Sequence, residues 1–419
     1  MKESTTTNYH DTTERKTTEA NIKNRTGCSY ISVRRSFAVK MSKSASPQSC
    51  ADEIPCTSKC CRMLQTFKFL AMPQLEVLSN NEMNLNRNLG LLQASVSSIL
   101  QQPEVPKGGA LVKVCFAGAC YSEGHVRRKG YRPRFPGYEI SGIIYEVCNS
   151  LPNRNLNPGD RIILYPDEEI ADSGYTEFLP ISDVSKIYQI PSNMSLAVAA
   201  MIPGGGLTGF SAVLKAKPHI EKLAEVKPIV NVLVVGAGGL GLWTLRMAEY
   251  LLGEHNTNVR VFVADSNIDR LLTAQDHGCY DIIHWNEEDH EEYICERTIE
   301  ACHGGLDVVI DFVSSRRTMN RSLQVLNREG LIIVGGSSVT EMSINLNVLS
   351  AKQQSITSIP KGSPEELAEL VQCVASGRVS PPTYAVFPVE NANQVFEDLT
   401  LARITGRAVL RLGNTNVDN

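Results

Sequence analysis

Polar and apolar positions divide the chain into three stretches with different rhythms. Residues 1–62 are rich in Thr, Ser, Asn, Lys and Arg, hold few large apolar side chains and keep no periodicity. They are expected to form a disordered extension. Residues 63–205 show short apolar runs broken by Gly, Pro and Asn, namely Ala110–Ala117, Tyr138–Val147, Arg161–Tyr165 and Tyr175–Pro180. Turns at Pro106-Lys107-Gly108-Gly109 and Pro158-Gly159-Asp160 separate them, which predicts a small, mostly antiparallel β domain. From about residue 228 the rhythm changes. Strands are predicted to end at Gly236 and at Asp265, and to cover Asp281–Trp285, Asp307–Phe312 and Leu331–Gly335. Between them lie helical patterns at 268–277, 289–302 and 315–326. Such alternation needs crossover helices, and hence a parallel sheet covered on both faces. Ser363-Pro364-Glu365-Glu366 is a capping box with proline at the first helical position, opening a helix to about Ser376. Tyr384–Phe387, a helix from Asn391 and Arg407–Leu412 then return to short pieces. The expected class is α/β: a β-rich domain over 63–205 completed by 377–414, and a doubly wound parallel-sheet domain over 206–376.

One junction carries chemistry. Asn231-Val-Leu-Val-Val runs into Gly236-Ala-Gly238-Gly-Leu-Gly241, and a helical pattern follows at once. Strand, Gly-x-Gly-x-x-Gly turn and helix in that order let backbone N–H groups approach a pyrophosphate at a helix N-terminus. The next strand, Val259 to Ala264, ends on Asp265, 24 residues past Gly241. A carboxylate there accepts hydrogen bonds from the ribose hydroxyls of NAD and repels the 2′-phosphate of NADP. The residues therefore predict an NAD(H) site with Gly236, Gly238, Gly241 and Asp265 as contacts.

Composition narrows the partners. A formal net charge of −4 gives no electrostatic reason to favour nucleic acid or an anionic membrane. No apolar run has the ~18–20 residues of a membrane helix, and the N-terminus lacks a secretory layout. Arg34, Arg35 and Lys40 among Ser and Phe residues raise a mitochondrial transit peptide as the alternative reading of the extension. Glu3, Asp11, Glu14 and Glu19 argue against it. The cysteines are scattered, and Cys115, Cys148, Cys295 and Cys373 fall inside apolar patterns, which suits a reducing, cytoplasmic compartment. Cys50, Cys56, Cys60 and Cys61 match no paired metal-knuckle spacing.

Several motifs together resemble the medium-chain dehydrogenase/reductases, and within them the zinc alcohol dehydrogenases. They are Leu111-Val-Lys-Val114 leading to Gly118-Ala-Cys120-Tyr-Ser122-Glu-Gly-His125, Phe135-Pro-Gly-Tyr138-Glu139, Pro158-Gly-Asp-Arg161, Pro203 to Ala212, the glycine turn, and Gly406-Arg407-Ala-Val-Leu410. The resemblance covers roughly 63–414. It implies a GroES-like β-rich catalytic domain, closed by the C-terminal segment, with a Rossmann domain inserted. It further implies hydride transfer between NAD(H) and a small carbonyl, alcohol or activated alkene.

The family's zinc pattern is degraded here. Its first cysteine matches Cys120, but its histidine is replaced by Tyr138 and its second cysteine by Gly204. The four-cysteine structural lobe is missing, since Asp167 to Gly174 holds no cysteine. No metal is therefore expected, in the manner of the superfamily's zinc-free quinone and enoyl reductases. An alcohol dehydrogenase with rearranged ligands would need His125 as a new donor.

Ser122 and His125 match the family's proton relay, a role imidazole suits near neutral pH. They also suit a turn residue and a solvated helix residue. Tyr138 has two readings: a hydroxyl that polarises the substrate carbonyl in place of the metal, or a ring that fills the vacated volume. Arg270 matches the basic residue beside the adenosine ribose, Thr208 a residue lining the nicotinamide, and Arg407 a basic residue near the pyrophosphate. A homodimer is implied through the edge of the Rossmann sheet, placed at Ser337–Val348. The alternative function is a catalytically silent NAD-binding sensor or scaffold.

Overall fold

The computed structural model describes residues 102–121, 137–149, 156–166, 174–253, 258–336, 341–360 and 362–413. The expected extension over 1–62, its cysteines, Ser122, His125 and most of the Asp167–Gly174 stretch lie outside the described residues.

The first sheet is β-rich and mostly antiparallel. Its strands are β1 (Ala110–Ala119), β2 (Ile140–Val147), β3 (Arg161–Leu164), β4 (Phe178–Ile181) and β5 (Ile187–Gln189). Two strands from the far end of the chain, β12 (Tyr384–Pro388) and β13 (Arg407–Arg411), complete it in the order β12-β13-β1-β2-β3-β5, with β4 also paired to β1. Phe116 lies opposite Arg411 in the β1–β13 ladder. Alternate residues of β1, Ala110, Val112 and Val114, point into a core closed by Val395, Phe396 and Leu399 of α9 (Ala392–Thr400). The helix thus covers one face of that core.

Tyr175 was expected to begin a strand, yet pairing starts only at Phe178. The reason is its side chain. Tyr175 is buried against Gly137, and its hydroxyl donates to the Gly118 carbonyl at 3.0 Å, which bends the backbone out of the ladder.

The second sheet is wholly parallel, in the order β11-β10-β9-β6-β7-β8. Its strands are β6 (Val230–Val235), β7 (Val259–Asp265), β8 (Asp281–His284), β9 (Leu306–Asp311), β10 (Leu326–Val334) and β11 (Ser355–Ser358). Read from β8, this is the doubly wound order 3-2-1-4-5-6. Every residue of β6, at the centre of the sheet, is buried, as a parallel strand with helices on both faces requires. The helices are α1 (Leu196–Ala200), α2 (Leu207–Ala224), α3 (Gly239–Leu252), α4 (Ile268–Gln275), α5 (Glu291–Ala301), α6 (Arg316–Val325), α7 (Leu346–Lys352) and α8 (Pro364–Ala375). The expected capping box is present: Ser363 accepts from the Glu366 N–H, and the Glu366 carboxylate accepts from the Ser363 N–H.

The sheet edge lies at β11, not over Ser337–Val348. Residues 346–352 are helical, started by Asn345, whose side chain accepts from the N–H groups of Asn347 and Val348. α2 is the longest helix among the described residues and had no clear sequence signal, because Pro218 interrupts its pattern. It packs on α3 and α8, and its apolar face belongs to a core that reaches from Phe116 and Ile163 of the first sheet to Val308 and Ile333 of the second. One continuous apolar core therefore ties the two sheets together. The seven described cysteines are free thiols, and burial raises Cys279 to about 11 and Cys302 to about 12. Among the described residues no helix is long and apolar enough to cross a membrane.

Candidate active site

The glycine turn joins β6 to α3. Gly236 has φ +100°, a conformation that L side chains resist. Gly241 is pinned differently. A Cβ there would stand 1.9 Å from the Gly236 carbonyl oxygen, so helix and strand can approach only without a side chain. Gly238 has open space: nothing lies within 4 Å of where its Cβ would be. Gly241→Ala should therefore push α3 off β6, weakening NADH binding at least tenfold and lowering the melting midpoint by several degrees. Dye fluorescence and NADH titration check this.

Asp265 closes the same cradle from β7. Its Oδ2 accepts the Ala237 N–H at 2.7 Å and its Oδ1 the Asn267 N–H at 2.8 Å. Asn267 caps α4 by accepting the Arg270 N–H at 3.1 Å. The Arg270 Nε is buried without a hydrogen-bond partner, a donor that a ligand at this rim would satisfy. Turn and carboxylate thus converge at the carboxyl ends of β6 and β7, where a doubly wound sheet binds its ligand, and Arg270 follows in the first turn of α4. Thr208 stands in the first turn of α2, whose next residue, Gly209, abuts Thr244 of α3. The open cradle at Gly238 and the orphaned Arg270 donor fit a dinucleotide.

The first sheet meets this cradle through Arg407. The side chain is 4% exposed, and its guanidinium pairs with Glu139, which is fully buried. Glu139 Oε1 also accepts the Gly205 N–H at 2.7 Å. Burial pushes the Glu139 carboxyl above its usual range, against the pull of Arg407. Burial works against the Arg407 cation, but Glu139, Cys120 and Tyr138 more than offset it and hold the guanidinium charged. The arginine stem also touches the turn: a Cβ on Gly239 would lie 2.3 Å from Arg407 Cδ. The second adjacent glycine of Gly238-Gly239 therefore makes room for an arginine rather than for a phosphate.

The same pair fills the volume beside Gly204. A Cβ there would lie 2.2 Å from Glu139 Oε1, so a cysteine at that position would have to displace the carboxylate. Gly204 sits in a buried π-helical turn, Ile202–Gly206, that precedes α2. Turns of this kind are frequent at functional sites. Among the described residues no three His, Cys, Asp or Glu side chains converge on a point that could hold a metal ion.

Arg407 and Tyr138 are thus brought together with Cys120 and Glu139, and Arg407 also reaches the turn. Asp265 binds the turn at Ala237 and the Asn267 amide, and Asn267 in turn accepts the Arg270 amide. The Glu139–Arg407 pairing could not be foreseen, since it links positions 268 residues apart. The Gly238-Gly239 doublet and the Pro203-Gly-Gly-Gly206 run were its sequence traces.

Comparison with known proteins agrees with this construction. Residues 106–189 match the alcohol dehydrogenase GroES-like domain, and residues 239–376 match the zinc-binding dehydrogenase domain. The chain belongs to the medium-chain dehydrogenase/reductase superfamily. An NAD-dependent alcohol dehydrogenase of Sulfolobus acidocaldarius is 24% identical over 354 residues, covering 75% of this chain and 96% of the relative. The alcohol dehydrogenase of Aeropyrum pernix superposes with a TM-score of 0.63 at 22% identity, covering 76% of this chain and 96% of that one. The Escherichia coli quinone oxidoreductase complexed with NADPH superposes with a TM-score of 0.59 at 24% identity, with coverage of 76% and 96%. Its family is that of the alcohol dehydrogenase-like oxidoreductases.

Proposed function

We propose that the protein is an NAD(H)-dependent oxidoreductase that works without zinc on a small carbonyl, alcohol or activated alkene. The observation that carries this reading is the buried Glu139–Arg407 pair beside Gly204. Cys120, Tyr138 and Gly204 do not make the donor set that zinc requires, and the neighbouring carboxylate is already committed to a guanidinium and a backbone N–H. Asp265 at the end of β7 supports NAD over NADP, because a carboxylate there repels a 2′-phosphate.

A bound nicotinamide would supply or take up the hydride. The chain's own groups position it: the glycine turn would hold the pyrophosphate, Asp265 and Arg270 the adenosine ribose, and Thr208 the nicotinamide side. Arg407 fixes the first sheet against the turn, close to Cys120 and Tyr138. Tyr138 is half-buried and lies near the Arg407 guanidinium, so its hydroxyl is the candidate to hydrogen-bond a substrate oxygen. Ser122 and His125 remain candidates for carrying the proton outward.

Elemental mass spectrometry on protein purified without chelator, with NADH titrated by fluorescence on the same sample, tests the reading. NADH binding with far less than one zinc per chain is the expected result. About one zinc per chain would overturn it. Turnover of quinones, enones and aldehydes then separates an enzyme from a silent NAD-binding protein. Tyr138→Phe should lower kcat by about 10- to 100-fold with little change in NADH affinity if the hydroxyl polarises the substrate. Unchanged turnover would leave the ring as filler. The edge strand β11 supports a homodimer as the assembly, which sedimentation would test.

A further inference from the structure

His277 lies just past α4 and is 3% exposed. Its Nδ1 is 2.8 Å from the Thr273 carbonyl oxygen, which can only accept, so the ring proton sits on Nδ1. Nε2 is then a bare acceptor. It receives the backbone N–H of Thr383 at 3.0 Å, with the Thr383 hydroxyl 3.4 Å away. Thr383 ends the linker that carries the chain from α8 back to β12, so this bond ties the parallel-sheet domain to the C-terminal part of the first sheet. The chain of contacts continues. The Thr383 carbonyl accepts the Arg407 N–H at 2.9 Å, and Gly406, at φ +82°, leaves no room for a Cβ against that carbonyl. Arg407 then reaches Glu139 and the Gly239 side of the cofactor turn.

We propose that His277 is a positioning residue and a proton-sensitive pin: neutral, it holds the linker at Thr383 and seats Arg407 against the turn, and its protonation releases both. A proton on Nε2 would set two N–H donors against each other, because a backbone amide N–H can only donate. The site's charges favour the neutral ring. From α3, Arg246 opposes a second proton and donates to the Asp276 carbonyl at 3.1 Å, while Glu249 pairs with Arg246. From the end of α4, Asp276 favours the proton, and the 381–383 linker contributes no charge. Burial, the largest influence, holds the imidazole below its ordinary range. The group therefore binds more protons unfolded than folded. Its contribution is full above the ordinary imidazole range and is lost as pH falls through it.

The link to cofactor affinity rests on the NAD(H) reading above, but the pin itself does not. Hydrogen–deuterium exchange of peptides spanning Thr383 and Arg407, on the full-length protein without ligand, measures it directly. Between about pH 7.5 and pH 5.0, after correction for intrinsic exchange, protection of both segments should fall at least tenfold together in the wild type. His277→Gln keeps an acceptor without a titrating proton and should hold its protection across that range. His277→Ala should be unprotected at both pH values. Constant protection in the wild type, the same pH response in His277→Gln, or full protection in His277→Ala would each overturn the pin. NADH titrated on the same samples should bind several-fold more weakly at the lower pH in the wild type only. Absence of NADH binding at every pH would count against the cofactor reading and leave the exchange result to decide the pin.

Discussion

Glu139→Gln should cost about 3–5 kcal/mol of folding stability, the range for removing one partner of a buried ion pair. The substitution keeps the side chain's shape and its acceptor for the Gly205 N–H, and takes away only the charge facing Arg407. A guanidinium with 4% exposure would then stand with no counter-charge in a low-dielectric site. Since folded domains hold only ~5–15 kcal/mol in total, the loss should be plain in urea titration. Arg407→Met leaves the opposite fault, a buried carboxylate without its cation. That fault can be relieved by a proton. Burial already raises the Glu139 carboxyl, and without Arg407 it rises further, so the folded variant binds more protons than the unfolded chain. Its stability should be nearest the wild type around pH 5 and fall as pH rises, since the sign follows proton uptake on folding. Combining Glu139→Gln with Arg407→Met should cost less than the sum of the two, because no unpaired charge remains. Additive losses would show that the two side chains do not act as a pair.

Asp265→Ala should weaken NADH binding by about 10- to 100-fold, the equivalent of one or two hydrogen bonds to a charged acceptor. It should also narrow or reverse the preference against NADPH, because the carboxylate that repels a 2′-phosphate is gone. Part of the loss has a local origin. Asp265 accepts the Ala237 and Asn267 amides, so its removal also loosens the turn and the cap of α4. Asp265→Asn separates the two contributions. It keeps an acceptor for the turn but not the charge, and should recover NADH affinity in part while staying permissive to NADPH. Titration of both cofactors against the three proteins checks this. Equal affinities throughout would remove Asp265 from the ribose site.

The parallel sheet was legible because its signal is local. The all-buried run of β6, the turn glycines and Asp265 each declare themselves within a few residues. The capping box at Ser363 likewise marked a helix start that the structure places at Pro364. What the sequence hid was set by tertiary contact. Tyr175 leaves its strand because its ring seats against Gly137, and α7 replaces an expected strand edge because Asn345 caps it. The pairing of Glu139 with Arg407 and the bond from His277 to Thr383 join segments more than a hundred residues apart, beyond any local pattern. Two anticipated relay residues, Ser122 and His125, fall outside the described residues.

The pairing of Phe116 with Arg411 also fixes an order of events during synthesis. β1 leaves the ribosome early, but β13, its neighbour on one side, is translated almost three hundred residues later. Until then the strand offers an open edge, and Glu139 has no cation. The parallel-sheet domain, whose strands all lie between 230 and 358, can assemble in that interval from contacts closer in sequence. The last thirty or so residues then act as a clasp. A ribosome stalled or a chain cut before residue 407 would yield a formed parallel-sheet half beside an unfinished, adhesive sheet, a species that chaperones and proteases would recognise first.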